Sequence, residues 1–357
     1  MKDSEPLNPA IFVALMGTSA LAISTELIFD NVASHAFATL LELSVISIFV
    51  YFFALFLFQL LTRHSGLIEE LRHPLKSNMY PGIPIAAALI TIMLAKIGLP
   101  YLHQGDPILA SVFWAISLFF AVVFVVVIPI NIKFRSKLDH VVGTWFIPPV
   151  GLFVLASAGA VLGIRLPSLA YTISFINLVL LGPAFVLYFL TLSMLYFRTV
   201  FHKMPDHQLT PTFNIVLAPV GVSIMAVLLT SKLMQSADFF GLAGTFAGIA
   251  KLYSIVMFGY GLWVLLGLSA LYRRMVKERG SIPFSEIWWA FVFPLGAFVL
   301  ASFNLYLAFP VLFIRAVYLS LYFLVLALWA FVTYSQAKAL LRKHGPAEAA
   351  QAPPAPG

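Results

Sequence analysis

The chain contains no cysteine and few charged residues. None of its 357 residues is a cysteine, and only 10% are charged. Without thiols the chain has no disulfide and no thiolate metal site. Soluble domains carry charge on about a quarter of their residues, so the scarcity of charge excludes an ordinary soluble fold. Because 61% of the residues are hydrophobic and the mean hydropathy is +0.99, the composition predicts an integral membrane protein.

Sequence signatures of catalysis are missing as well. The eight histidines fall in loops or at the ends of apolar runs, which argues against a haem or a di-histidine metal site within the bilayer. The sequence has neither a glycine-rich phosphate loop nor a local nucleophile motif. We therefore expect a protein that is not an enzyme, is not an ATP-driven pump and needs no cofactor.

Ten apolar runs are each long enough to cross a bilayer, which takes about 20 residues. They predict an all-α membrane protein with a transmembrane domain over 9–342, a cytoplasmic N-terminus over 1–8 and a tail over 343–357. The tail is rich in proline and alanine, so we expect it to be disordered and cytoplasmic. The predicted spans are Pro9–Thr25, Phe37–Leu61, Met79–Leu99, Pro107–Ile130, Val142–Ile164, Ala170–Phe197, Thr212–Thr230, Leu242–Leu271, Ile287–Phe309 and Val311–Tyr334.

Lysine and arginine are distributed unequally between the two sides of these spans. The termini and the loops that lead from even to odd spans hold 16 of the 21 basic residues. Positive charge marks the cytoplasmic side, so we predict a protein of the cell (inner) membrane with both termini in the cytoplasm. This sidedness accounts for most of the net charge of +7, and we expect no nucleic-acid partner.

A repeat of the form Pro-x-Gly-x4-Ala occurs only in odd-numbered spans, at Pro149-Gly151-Ala156, Pro219-Gly221-Ala226 and Pro294-Gly296-Ala301. The other two odd spans match it loosely: Leu15-Gly17-Ala22 lacks the proline, and Pro84-Ala86-Thr91 has other small residues in place of glycine and alanine. Even-numbered spans are bulky and apolar throughout, as in FVYFFALFLF from Phe49 to Phe58. Proline removes a helix hydrogen bond and bends the helix. Backbone groups freed in this way are tolerated in a membrane only when they are buried or face a cavity. The sequence therefore predicts five helical hairpins with the odd helices around a central pore. The predicted kinks are at Pro84, Pro149, Pro219 and Pro294.

The small residues of the repeat have two interpretations. Glycine and alanine allow close helix packing, or they line a narrow pore. On a helical wheel, the position before the proline, the glycine and the residues that follow share one arc. The arc predicts pore-lining residues Ala14, Gly17, Thr18, Ile83, Ala86, Ala87, Pro148, Gly151, Ala218, Gly221, Val222, Gly296 and Ala297. Phe293 is the one aromatic residue on it, and it is either a pore gate or a packing residue in a chain with 34 phenylalanines.

The predicted lumen carries no charge, so attraction of anions would have to come from its mouths. Candidate residues for this role are Lys96, Lys251 and Arg315. Topology and snorkelling at helix ends also explain these cations, and Glu42 allows the same interpretation. If Lys251, Arg315 or Glu42 lies deep in the membrane instead, it becomes a candidate functional residue.

Three stretches resemble the tellurite-resistance/dicarboxylate transporter family. They are EELRHPLKSNMYPGIPIA from Glu69, TWFIPPVGLFVLASAGA from Thr144 and WWAFVFPLGAFVLAS from Trp288. The family includes plant guard-cell slow anion channels, a bacterial tellurite-resistance protein, yeast malate permeases and fungal sulfite efflux pumps. The resemblance covers Pro9 to Tyr334 and implies a homotrimer in which the odd helices line a pore. It also implies that a phenylalanine of the ninth helix occludes the pore, which motif matching places at Phe293.

Several functions are compatible with this resemblance. The protein is a passive channel for small anions such as chloride, nitrate, sulfite or malate, or it is a proton-coupled dicarboxylate carrier or a sulfite or tellurite efflux protein. A carrier would need a titratable group in its pathway, and the inner arc has neither carboxylate nor histidine. This favours the channel, although a protonated substrate could cross without such a group. A sensor or scaffold is disfavoured because no soluble domain is appended.

Overall fold

The computed structural model describes residues 8–62, 64–99, 107–132, 136–202, 207–280 and 284–344. Over these ranges ten long helices follow one another, with a short helix at His64–Leu71 between the second and third. All ten are long and apolar enough to cross a membrane, which confirms the predicted all-α membrane fold. The long helices are α1 Ala10–Ile28, α2 Val32–Thr62, α3 Gly82–Lys96, α4 Pro107–Ile132, α5 Ile147–Arg165, α6 Ala170–Phe201, α7 Leu217–Ser236, α8 Ala243–Arg279, α9 Trp289–Ala308 and α10 Leu312–His344.

The odd-numbered helices form a closed inner ring. Around the ring α1 packs on α3, α3 on α5, α5 on α7, α7 on α9, and α9 on α1. Each even-numbered helix packs against the odd helix before it and completes a hairpin. The apolar windows of the inner spans are 67–94% buried, whereas those of the outer spans are 22–33% buried. The bulky helices therefore face outward, as lipid-facing helices do, and the prediction of five hairpins with the odd helices inside is confirmed.

Three of the four predicted kink prolines lie at the start of an α-helix and not within it. Pro84, Pro149 and Pro219 are each the third residue of their α-helix. The first N–H groups of an α-helix have no partner within it, so a proline there removes no hydrogen bond from the α-helix. Only Pro294 lies in the interior of its inner helix, five residues after Trp289. A repeated proline in the sequence does not by itself distinguish a helix start from a mid-helix break.

The described helices also bear on the predicted chain ends. Helix α10 continues to His344, so it extends two residues into the tail predicted over 343–357. Residues 1–7 and 345–357, which hold the rest of the two predicted terminal segments, lie outside the described residues.

Candidate functional site

A stripe of side chains on each inner helix faces the centre of the ring. On α9 the stripe is Ala290, Phe293, Ala297 and Leu300, with spacings of three, four and three residues. This spacing keeps side chains on one helix face. Helix α5 has the same spacing, as does α7 together with Ile215 of the segment before it, and α1 and α3 contribute shorter stripes. The remaining members are Val13, Met16 and Ala20; Leu89 and Ile92; Ile147, Val150, Val154 and Ser157; and Ile215, Ala218, Val222 and Met225.

These stripes enclose two small cavities, one on each side of Phe293. The first lies toward the N-terminal mouth, where the inner helices begin, and includes Val13, Ile147 and Ala290 in its wall. The second lies toward the C-terminal mouth, where they end, and includes Ile92 and Leu300. Each has a volume of about 10 Å³, which is at the lower limit for holding one water. Phe293, with 3% of its surface exposed, is the one residue that lines both cavities.

The walls of both cavities are apolar. Among the described residues that line them, Ser157 alone has a polar side chain, and its hydroxyl donates to the Phe153 carbonyl at 2.9 Å in the same helix. Cavities lined by apolar groups stay dry. The phenyl ring of Phe293 therefore lies between two small apolar cavities.

Of the predicted lining and gate residues, Ala218, Val222, Phe293 and Ala297 line these cavities. The prediction is corrected for the others because the inner helices differ in rotation. Positions are counted from the proline of the repeat, or from Leu15 in α1. The cavity-lining residues of α7 and α9 include positions −1 and +3, whereas those of α1 and α5 include positions +1 and +5 and those of α3 include position +5. A shift of two residues turns a helix by about 200°. The residues that line neither cavity are Ala14, Gly17, Thr18, Ile83, Ala86, Ala87, Pro148, Gly151, Gly221 and Gly296.

The four glycines of the repeat face neighbouring inner helices. A methyl group added at any of them would meet the next helix of the ring instead of open space. The packing interpretation of these glycines therefore replaces the pore-lining one, since small residues let helices approach closely. The facing residues are Val292 for Gly17, Ile85 for Gly151, Ala297 for Gly221 and Ala20 for Gly296.

Thr18 also lies away from the centre. Its hydroxyl donates to the Ala14 carbonyl and accepts the indole N–H of Trp329, each at 3.0 Å. Trp329 belongs to the outer helix α10, so Thr18 links α1 to the outer ring.

The segment before α7 supplies a hydrogen bond that the repeat did not predict. Pro294 has no N–H, so the carbonyl of Ala290, four residues earlier, loses its usual helical partner. The side-chain amide of Asn214 donates to this carbonyl at 3.3 Å and lies 3.4 Å from the next one, that of Phe291. Asn214 is buried. Asn214 therefore satisfies a backbone carbonyl one turn before Phe293. In the sequence, the one signal for this role is that Asn214 lies shortly before the proline repeat of α7.

Three cations cluster where the inner helices end. Lys96 of α3 lies within electrostatic range of both Arg165 of α5 and Lys232 of α7. The Arg165 guanidinium donates to the Ala95 carbonyl at 2.8 Å, which joins two of the helix ends. All three side chains are exposed. The C-terminal mouth thus carries a basic cluster, of which the sequence analysis selected only Lys96.

The other two predicted mouth residues have different positions. Lys251 and Arg315 are exposed on the outer helices α8 and α10, and they line neither of the two cavities. Glu42 is completely buried on α2, so of these three ionisable residues it is the one that becomes a candidate functional residue.

Ten helices long and apolar enough to cross a membrane, five of them in an inner ring, define a polytopic integral membrane protein. Residues 6–337 match the family model described as SLAC1, voltage-dependent anion channel, and the chain belongs to this family. The predicted resemblance is confirmed by this match, which covers nearly the whole chain.

Relatives of the chain are transporters by name. It is 29% identical over 333 residues to an uncharacterized transporter of Methanocaldococcus jannaschii, with 90% of each chain covered. A second uncharacterized transporter of that organism is 28% identical over 324 residues, with 89% of this chain and 90% of the relative covered. The sulfite efflux pump SSU1 of Arthroderma benhamiae is 24% identical over 307 residues, with 83% of this chain and 80% of the relative covered.

Proposed function

We propose that the protein is a passive channel for small anions whose pathway runs through the inner ring and is gated by Phe293. The observation that carries the proposal is the position of Phe293, which lines the cavities on both of its sides. Hydrophobic constrictions gate channels because water leaves them and ions cannot pass without water. Removal or rotation of one ring would join the two cavities.

The chemistry of the lumen favours passive conduction over proton-coupled carriage. A carrier that exchanges protons within its pathway needs a titratable group there, and none of the described cavity-lining residues is titratable. An apolar lumen also offers an anion no tight site from which it must be released. The basic cluster of Lys96, Arg165 and Lys232 supports anions over cations as the permeant species.

We propose small inorganic and organic anions as the substrate class, with sulfite tested first. The support for sulfite is the name of the sulfite efflux pump relatives, which share 24–25% identity with this chain. Malate, chloride and nitrate are the other anions that family membership suggests. We further propose, from the family resemblance, that the protein is a homotrimer, and from the distribution of basic residues that both termini are cytoplasmic.

The test is anion flux from liposomes that hold Phe293→Ala or the parent protein at matched density. Truncation of the ring removes the barrier without removing any attractive contact, so we expect flux to rise at least tenfold, which corresponds to about 1.4 kcal/mol off the barrier. The rise should occur for sulfite, chloride, nitrate and malate with little change in their order. A pH gradient should not drive uptake.

Two phenylalanines of the same helix serve as controls. Phe298 turns away from the centre and stacks on Phe258 of α8 at 5.7 Å, and Phe303 contacts Tyr318 of α10 at 5.5 Å. Phe298→Ala and Phe303→Ala should leave flux at the parental level. If folded Phe293→Ala conducts no better than the parent, the gate is located elsewhere, and uptake driven by a pH gradient would indicate a carrier.

A further inference from the structure

Glu42 is an ionisable residue in the interior of the membrane domain. It is the eleventh of the 31 residues of α2, so it lies about 15 Å from the start of the helix. Its exposure is 0%. Within the described part of the chain neither carboxyl oxygen of Glu42 has a hydrogen-bond partner. Ionised carboxyl groups are strongly disfavoured at such a position, so Glu42 is neutral in this conformation.

Helix packing places Glu42 opposite Ser19 of α1. The two helices are joined by three residues and run antiparallel, and the rings of Phe12 and Phe49 meet at 6.0 Å. Ser19 is seven residues after Phe12, and Glu42 is seven residues before Phe49, so the same antiparallel register places Ser19 opposite Glu42. The Ser19 hydroxyl is also buried and, among described residues, also without a partner. Two unpaired polar groups therefore lie at one level of the α1–α2 interface.

No cation in the described helices around Glu42 neutralises it. The charged group that acts on Glu42 is Glu26 of α1, which is itself bonded to His35 of α2 at 3.0 Å. Lys96 is exposed at the C-terminal end of α3, and α4 carries no charged residue. On α10, Arg315 and Lys338 are two turns or more from Trp329, which contacts Phe37 of α2. Loss of the Glu42 proton would thus leave an unpaired negative charge.

Only α1 separates Glu42 from the closed pathway. Ala20, the residue after Ser19, lines the cavity on the C-terminal side of Phe293. A methyl group built on Gly296 of α9 would lie 2.8 Å from the Ala20 methyl, so α1 and α9 are tightly packed at this level. An ionised Glu42 would favour a state in which α1 moves away from α2 and water enters the interface between them. Such a movement of α1 loosens the wall beside Phe293.

We propose that Glu42 is a proton-binding site whose protonated form stabilises the closed pathway. The inference rests on the proposed channel function. The closed state holds Glu42 neutral, whereas an open state that admits water to the α1–α2 interface allows it to ionise. Protons therefore bind the closed state more tightly, acid favours closure, and flux rises as the pH increases. One proton couples the two states, so the slope is at most about tenfold in flux per pH unit.

The experiment measures chloride flux from liposomes between pH 5 and pH 9 for the parent, Glu42→Gln and Glu26→Gln. Glutamine imitates the protonated acid, so Glu42→Gln should stay at the low flux of acidic pH throughout. Glu26→Gln removes the carboxyl whose negative charge disfavours ionisation of Glu42, so flux should still depend on pH, with the rise moved toward lower pH. Infrared spectra of the purified proteins provide a readout that needs no flux: the band of a protonated carboxyl should be absent from Glu42→Gln and present in Glu26→Gln.

The outcomes separate this inference from the channel proposal. If Phe293→Ala conducts nothing, the channel proposal fails, and the infrared band still decides whether Glu42 binds a proton. A parental pH profile in Glu42→Gln, or an unchanged protonated-carboxyl band, would overturn the inference. Should the glutamine variant not fold, Glu42→Met places a neutral side chain of similar length in the same space, and the same two results are required of it.

Discussion

A single buried amide, that of Asn214, satisfies the backbone one turn before Phe293, the residue that we propose as the gate. The Ala290 carbonyl has lost its helical partner to Pro294, and Asn214 donates to it from the segment before α7. Buried carbonyls without a partner are rare because their desolvation is not repaid. Asn214 thus allows a proline inside α9 and fixes the backbone from which Phe293 projects.

We expect Asn214→Ala to lower the free energy of unfolding by about 1–3 kcal/mol, the effect of leaving a buried acceptor unpaired. Thermal melting in detergent measures the loss. Asn304→Ala is the matched control, because the Asn304 amide donates at 2.9 Å to the Leu300 carbonyl, which the helix backbone already satisfies. A comparable loss of stability in both variants would argue against a special role for Asn214.

Individual residues differ in how far the sequence could predict them. Phe293 was found because it is the one aromatic residue at a repeated position and because it lies in a specific motif. Asn214 was missed because the carbonyl it serves is 76 residues away in sequence. Glu42 was noticed as an ionisable residue in an apolar run, but its complete burial depends on how α2 packs on α1, which composition does not encode.

Glycines determine how closely the inner helices approach. A methyl group added to Gly221 of α7 would lie 2.6 Å from the backbone carbonyl carbon of Ala297 in α9. No real side chain makes such a contact, and backbone cannot move aside cheaply. At Gly151 of α5 the nearest atom is a side-chain carbon of Ile85 at 3.4 Å, which is an ordinary contact. The two repeat glycines therefore have different tolerances.

Gly221→Ala should destabilise the protein by about 1–3 kcal/mol, the usual effect of overpacking, and should separate α7 from α9. Gly151→Ala should be neutral or stabilising by up to about 1 kcal/mol, since alanine favours the helix over glycine. Melting temperatures of the two purified variants check this directly. Equal destabilisation at both positions would mean that α5 and α3 are as closely packed as α7 and α9.

The order of the helices could be predicted from the sequence, but their rotation could not. Bulky even spans and small-residue odd spans indicated which helices lie inside, because only small residues permit a tight ring. The proline repeat then suggested one common orientation for all five inner helices. Because Pro84 and Pro149 mark helix starts, they fix where α3 and α5 begin and not which face turns inward. The face is set by contacts between helices, such as Gly151 with Ile85.

At the scale of the whole molecule, all five inner helices run in the same direction. On α1, α5, α7 and α9 the residues of the N-terminal cavity precede those of the C-terminal cavity, and the bond from Arg165 to the Ala95 carbonyl places the end of α3 beside the end of α5. Helix dipoles place partial positive charge at N-termini and partial negative charge at C-termini. The N-terminal mouth is therefore favourable to anions through backbone alone. At the C-terminal mouth the dipoles repel anions, and the basic cluster is positioned to reverse that sign.

We expect neutralisation of two members of this cluster to slow the entry of anions from the C-terminal mouth. The variant is Lys96→Gln/Lys232→Gln in the Phe293→Ala background, where the ring no longer limits current; Arg165 is kept because it also bonds to Ala95. A single charge a few ångströms from a permeating ion in water changes its energy by roughly 0.5–1 kcal/mol, so each substitution should reduce current by about two- to fivefold at low salt. In planar bilayers with oriented protein, anions driven from the C-terminal side should show the loss, and anions driven from the N-terminal side should show little.

Raising the salt to about 1 M shortens the screening length to about 3 Å and should bring the variant close to its parent. Lys251→Gln/Arg315→Gln removes the same amount of charge from the outer helices and should have no effect on either direction. If the outer pair matters as much as the inner pair, or if the loss persists at high salt, the cluster does not act by attracting anions to the mouth.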